Sequence, residues 1–166
     1  MAESGCLRDV QVQNLEVAGT FTQPTPNNAI VIAGTANQIY TLSKEQSGST
    51  IVVTSVNTSL TIKLPSPTSG MNFTIAFAGA DETEDITIDT QSDTNYLSGA
   101  LNIFDADAAG AVSLDTILPD GNSNSKLTLK DPQSATWVKL VSNGTLWYHF
   151  GAITTVTATA VVYADQ

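Results

Sequence analysis

"SLTIKLPSPTSGMNFTIAF", residues 59–77, is the stretch whose reading decides the fold. Leu60, Ile62 and Leu64 alternate with Thr61 and Lys63, which puts the aliphatic side chains on one face of a strand and the polar ones on the other. "PSPTSG" then turns the chain, because Pro65 and Pro67 lack donors and fix φ, and Gly70 tolerates the bend. Beyond it Phe73, Ile75 and Phe77 resume the alternation. Two inward triads separated by a Pro/Gly turn are what two facing sheets need to fill the space between them.

The same pattern runs through residues 29–166. "AIVIAG", "QIYTLS", "STIVVTS", "EDITIDT", "GALNIF", "AVSLDTI", "KLTLKD", "TWVKLVS", "TLWYHFG" and "ITTVTATAVVYA" are short, rich in β-branched residues and bounded by Gly, Pro, Asn, Asp and Ser. No segment sustains a 3.6-residue amphipathic period. The one local helical alternative, "DADAAGAVSL" at 105–114, is weakened by Gly110. The expected class is all-β, a sandwich or a barrel.

Residues 1–28 read differently. Val10 and Val12, then after a shift Leu15 and Val17, alternate through "VQVQNLEVAGTFT", and "QPTPNN" at 23–28 is a stiff connector that interrupts any ladder. The expected organisation is an extended N-terminal β arm with its Pro-containing connector, 1–28, and a β domain, 29–166. An arm of this kind cannot bury both faces alone, so its apolar side chains pack on a neighbouring subunit, on a partner, or back on their own body.

"ATWVKLVSNGTLWYHFG", 135–151, holds both tryptophans and the only histidine. Asn143-Gly144 favours a two-residue type I′ turn. That turn pairs Val141 with Leu146, Leu140 with Trp147, Lys139 with Tyr148 and Trp137 with Phe150. One face then carries Trp137, Val141, Leu146, Tyr148 and Phe150, and the other Val138, Leu140 and Trp147, with His149 at its edge. Neither face is polar as an exposed antiparallel sheet requires. The core therefore covers one side, and a loop, the arm or another subunit covers the other. Trp137, Val141, Leu146, Trp147, Tyr148 and Phe150 are the candidate core or subunit-interface residues.

Charge and composition narrow the function. Six Lys plus Arg against sixteen Asp plus Glu give a net charge of −10, which repels nucleic acid and anionic membrane and favours a basic partner surface. No apolar run approaches the length of a membrane span, so membrane insertion is not expected. The single Cys6 excludes an intrachain disulfide framework. A lone His149 supplies no His-based metal cluster within one chain, and a Cys6/His149 nucleophilic pair has no orienting third residue. "DETED" at 81–85 is acidic enough to attract a hard cation. "DADAAG" at 105–110 opens like a calcium loop, but its twelfth position is Thr116 instead of a bidentate Glu. No catalytic residue, cofactor or metal is expected. Sugar stacking on the hairpin aromatics is weakened because Trp147 and Tyr148 fall on opposite faces.

"IYTLSKEQSGSTIVVTSVNTSLTIKLPSPTSGMNFTIAF" (39–77), "EDITIDT" (84–90) and the hairpin together resemble a recurrent jelly-roll-like body of tailed-phage virion proteins. Tyr40, Ser47-Gly48, Ile62, Leu64, Pro65, Pro67, Gly70, Phe73, Ile75, Trp137, Gly144, Trp147 and Gly151 occupy the matching places. "VQNLEVAGTFT", 12–22, is similar to units of trimeric phage arms and fibre attachment regions, through Leu15, Val17, Gly19, Thr20 and Phe21. The resemblance implies an antiparallel jelly-roll-like β-sandwich with an extended arm. It also implies a homotrimeric decoration or cement protein bound to the major capsid protein on the outer surface of an assembled capsid, made in the host cytoplasm and without catalysis. Val10, Val12, Leu15, Val17 and Phe21 would be its capsid or intersubunit arm contacts. The alternative implied is a tail fibre, spike or host-adhesion module that binds a surface glycan.

Overall fold

The computed structural model describes residues 29–34, 38–79, 84–105, 113–156 and 159–166. These form twelve strands and one short 3-10 helix, Lys44–Gln46. The first six strands are β1 (Ile30–Gly34), β2 (Gln38–Thr41), β3 (Thr50–Val56), β4 (Leu60–Lys63), β5 (Asn72–Phe77) and β6 (Ile86–Asp89). They are followed by β7 (Leu97–Asp105), β8 (Ser113–Ile117), β9 (Lys126–Leu129), β10 (Trp137–Ser142), β11 (Trp147–Thr155) and β12 (Val161–Ala164). No α-helix occurs among the described residues. The local helical alternative at 105–114 falls largely outside them, and its described ends lie in strands β7 and β8. The arm lies wholly outside the described residues, and with it Val10, Val12, Leu15, Val17, Phe21 and Cys6.

The strands form two mixed sheets. One is ordered β1-β3-β5-β10-β11-β7-β8, the other β12-β9-β6-β4-β2. The chain crosses between sheets at every step from β1 to β6, so β1, β3 and β5 pair in parallel in the larger sheet and β2, β4 and β6 in the smaller. The expectation of antiparallel pairing throughout is corrected here. The 64–71 segment is not a hairpin turn but a crossing from β4 in one sheet to β5 in the other. Alternation reports which face a side chain occupies, not which strand lies beside it, and a crossing between facing sheets preserves the inward triads while making neighbouring strands parallel.

Leu60, Ile62 and Leu64 are buried from one sheet and Phe73, Ile75 and Phe77 from the other, and all belong to one apolar cluster. Ile86 and Ile88 of β6 and Leu127 and Leu129 of β9 continue it, with Thr87 turned outward. The crossing is anchored at both ends: Leu64 N–H donates to Asp89 O at 2.8 Å, and Met71 O accepts from Ser142 N–H at 2.8 Å. The last expected strand divides, since β11 runs on to Thr155 and only Val161–Ala164 forms β12.

Two glycines mark the closest backbone approaches. Gly151 lies opposite Val138, where a Cβ would stand 2.1 Å from Trp137 O. Gly99, at φ +132°, pairs with His149, whose carbonyl oxygen a Cβ would meet at 1.9 Å. Gly151→Ala must displace backbone, so it should cost about 3 kcal/mol, the upper range for overpacking. Gly121→Ala, at φ +79° in open space, should cost only about 1 kcal/mol for its left-handed conformation. Urea unfolding of both variants checks this; equal losses would contradict the β10–β11 register.

Candidate functional site: the outer face of the seven-stranded sheet

The β10–β11 hairpin occupies the middle of the larger sheet, with β5 on one side and β7 on the other. Its register is Ser142 with Trp147, Val141 with Tyr148, Leu140 with His149 and Lys139 with Phe150. The two-residue turn is thus replaced by a four-residue loop, 143–146. Asn143 is the cause: its Oδ1 accepts from Thr145 N–H at 2.9 Å and Leu146 N–H at 2.8 Å, while Gly144 takes φ +101°. A side chain that satisfies two loop donors competes with the tighter turn. The pairing shifts by two positions, and a shift of two preserves every strand residue's face. Leu146 is the exception, since it leaves the outer face of the sheet for the loop.

The inner face carries Val138, Leu140, Trp147 and His149, all buried. Trp147 packs against Phe73 with ring centroids 5.9 Å apart. His149 Nε2 lies 2.6 Å from the hydroxyl of Tyr163, which ties β11 in one sheet to β12 in the other. Trp147 Nε1 and His149 Nδ1 are buried with no hydrogen-bond partner among the described residues. Burial pushes His149 down to about 4, against the opposing effect of the Ser98 backbone, and pushes Tyr163 upward. Near neutral pH this histidine is an uncharged tie between sheets.

The outer face is of a different kind. Trp137 and Tyr148 are each 40% exposed and Phe150 46%. Val141 is half-buried beside them. The ladders extend this surface outward: Val31, Val52, Ala76, Trp137 and Ala152 stand in one row across five strands. Phe104 pairs with Leu114 near the other edge. Beside the hairpin a groove of about 800 Å³ has Gly99, Ala100 and Gly151 in its lining, with Tyr148, Phe150 and Leu118 as apolar walls and Ser98 and Asn102 as polar groups. Lys139 is the one charged side chain on the described strand positions of this face, and its Nζ lies 5.9 Å from the Phe150 ring centroid. None of the chain's sixteen acids occupies those positions.

Of the six hairpin residues singled out in the sequence, Trp147 is core, Leu146 is loop, and Trp137, Val141, Tyr148 and Phe150 share the outer face. Val31, Phe104, Leu114 and Leu118, which enlarge that face, carry no local signal, because strand order is not written in any one strand. Trp147 and Tyr148 do point to opposite sides, but Trp137 joins Tyr148 and Phe150, so an aromatic surface exists without Trp147. Among the described residues no group of three or more His, Cys, Asp or Glu side chains comes together. Asp85 of the 81–85 acidic run pairs with Lys130, whereas residues 81–83 and 106–110 lie outside the described part.

No family model, no curated protein and no solved structure matches the chain.

His149 makes stability pH-dependent in a defined direction. Its folded value, about 4, lies below the ordinary 6.5. The unfolded chain therefore takes up the proton first, and the stabilisation, complete above pH 6.5, is lost as pH falls toward 4. The loss is on the order of 3 kcal/mol. Denaturant titrations at pH 7.5 and 4.5 should show this extra loss in the native chain and not in His149→Phe, with the contribution of the carboxylates common to both.

Proposed function

We propose that this chain is a structural virion protein that binds the outside of an assembled phage capsid as a homotrimer and stabilises it without catalysis. The observation that carries the reading is the outer face of the seven-stranded sheet, aromatic and, at its described strand positions, free of acids on a chain of net charge −10. Charge repels such chains from one another and from anionic surfaces, so the face that lacks acids is where association costs least. Burying the still-exposed part of each ring stabilises a contact by roughly 2 kcal/mol. The residues that carry the resemblance support the same reading, since Ile62, Leu64, Phe73 and Ile75 are core and Pro65, Pro67 and Gly70 make the crossing between sheets.

In this reading the major capsid protein is the partner and the outer capsid surface is the location. A trimer offers three equivalent contacts to a symmetric shell, and simultaneous engagement raises its effective affinity. Binding only the assembled lattice stabilises that lattice by mass action. The arm, about Val10 to Thr22, adds contacts to a neighbour or to the shell. The assignment of the body to a jelly-roll-like sandwich belongs to the same proposal. It is supported by the single core shared between two sheets, although the parallel β1–β6 course is a departure from a purely antiparallel jelly roll.

The groove beside Tyr148 and Phe150 favours one second reading, a host-adhesion module that stacks a neutral sugar on those rings.

Trp137→Glu with Phe150→Glu should convert the trimer to monomer in sedimentation and weaken binding to expanded heads at least tenfold. Val162→Glu, on the other sheet, should change neither. Retention of full head binding by the double variant would overturn the assignment of this face, and cryo-EM density on the tail instead of the head would favour the adhesion reading.

A further inference from the structure

Lys139, the one charge on the described strand positions of the outer face, stands near its middle. Across the ladder it lies between Thr74 of β5 and Phe150 of β11, and along its own strand between Trp137 and Val141. Its diagonal neighbours, Asn72, Ala76, Tyr148 and Ala152, are uncharged as well. Directly opposed and diagonal positions, about 5 Å and 7–8 Å away, are those from which a sheet pairs its own charges. The side chain is half-buried and makes no ion pair among the described residues. Its ammonium has the Phe150 ring instead, with Nζ 5.9 Å from the centroid.

A surface that covers Trp137, Tyr148 and Phe150 takes water from Lys139 too. The rings are stabilised by that loss, whereas an ammonium is destabilised by it unless a counter-charge arrives with the partner. A lysine at the rim of a patch escapes by reaching into solvent. Lys139 is on β10, the central strand of seven, so either lateral edge of the sheet is about 14 Å away, three strand spacings. Two copies meeting through this same face would bury two ammoniums and bring an acid to neither from its described strand positions. The surface that answers it must hold a carboxylate in an apolar surround. Other surfaces of the same chain hold acids in excess, sixteen against six Lys plus Arg, and Glu45, Asp93, Asp120 and Asp165 are exposed outside these strand positions.

We infer that the outer face is a head-to-tail contact between copies of this chain, in which Lys139 pairs with a carboxylate on a different surface of the next copy. Contacts between two unlike patches close into rings, and a trimer is one such ring. The rings of Trp137, Tyr148 and Phe150 supply the buried area, and the lysine supplies the selection against a face-to-face pair. The inference rests on the reading of the chain as a homotrimer and adds the charge that gives its contact a direction.

Sedimentation of the isolated full chain tests it. The native chain should be a trimer. Lys139→Met keeps the stem and removes only the charge, and should weaken the trimer about tenfold or more, because the neighbour's carboxylate is then buried unpaired. Lys139→Arg should stay close to native, and added salt should narrow the difference between native and Lys139→Met. Association of Lys139→Met that equals or exceeds that of the native chain would overturn the inference and leave the trimer standing, since no carboxylate then meets the lysine. A native chain that stays monomeric would overturn the inference and the homotrimer reading together.

Discussion

The buried residues at the two ends of the 64–71 crossing, Leu64 and Met71, hold the constraint on which the rest of the structure depends. Each is fixed by a backbone hydrogen bond to a strand on its own side, Leu64 to Asp89 and Met71 to Ser142. A chain that leaves one sheet between such anchors has to enter the other. Repetition of that step makes β1, β3 and β5 parallel neighbours and gives both sheets a common core. It also leaves one side of β5 for the later β10–β11 hairpin, while β11 takes β7 as its parallel partner. Both edges of the hairpin are then occupied, and among the described residues it presents its outer face and the exposed loop tip, Asn143–Thr145.

That face and the one beneath it answer to different physics. Beneath, Trp147 gives up a hydrogen bond at Nε1, a cost of about 1–3 kcal/mol for a buried orphan. Close packing of the ring of Trp147 on Phe73 and the His149–Tyr163 contact offset it. Above, no such accounting is needed, because the exposed groups at the described strand positions are apolar or are uncharged hydroxyls and amides apart from Lys139. The separation of acids from this face is not a property of any single strand. It emerges only when seven strands from across the chain are set side by side.

Much of the fold was legible in residue order, and the limits have physical causes. Alternation located the strands and assigned Leu60, Ile62, Phe73 and Ile75 inward, because period-two patterning is a direct record of burial. It also divided the hairpin residues other than Leu146 between two faces correctly in spite of a register two positions off, since parity survives a shift of two. Parallel pairing was not legible, because a strand's pattern does not name its neighbour. The four-residue loop was missed because the Asn143 side chain, not Asn-Gly backbone preference, satisfies the loop donors. The candidate face was visible only as its central strip, Trp137, Tyr148 and Phe150; Val31, Phe104 and Leu114 come to it through sheet order.

The same tight backbone that fixes the hairpin prepares its face for contact. Gly151 against Trp137 O and Gly99 against His149 O allow no added atom between β10, β11 and β7, so the strands that carry Trp137, Tyr148 and Phe150 are held in one arrangement. Aromatic rings on such strands have few torsions left to lose. Association through them therefore orders little that was free beforehand, and ordering costs of about 0.5–1.5 kcal/mol per side chain, usual where long flexible residues meet, fall near the low end. A surface built this way gives a contact whose strength comes from buried area and whose geometry is set before the partner arrives. In the proposed reading, repeated identical contacts on a symmetric partner demand both, and the central position of the hairpin suits it to them.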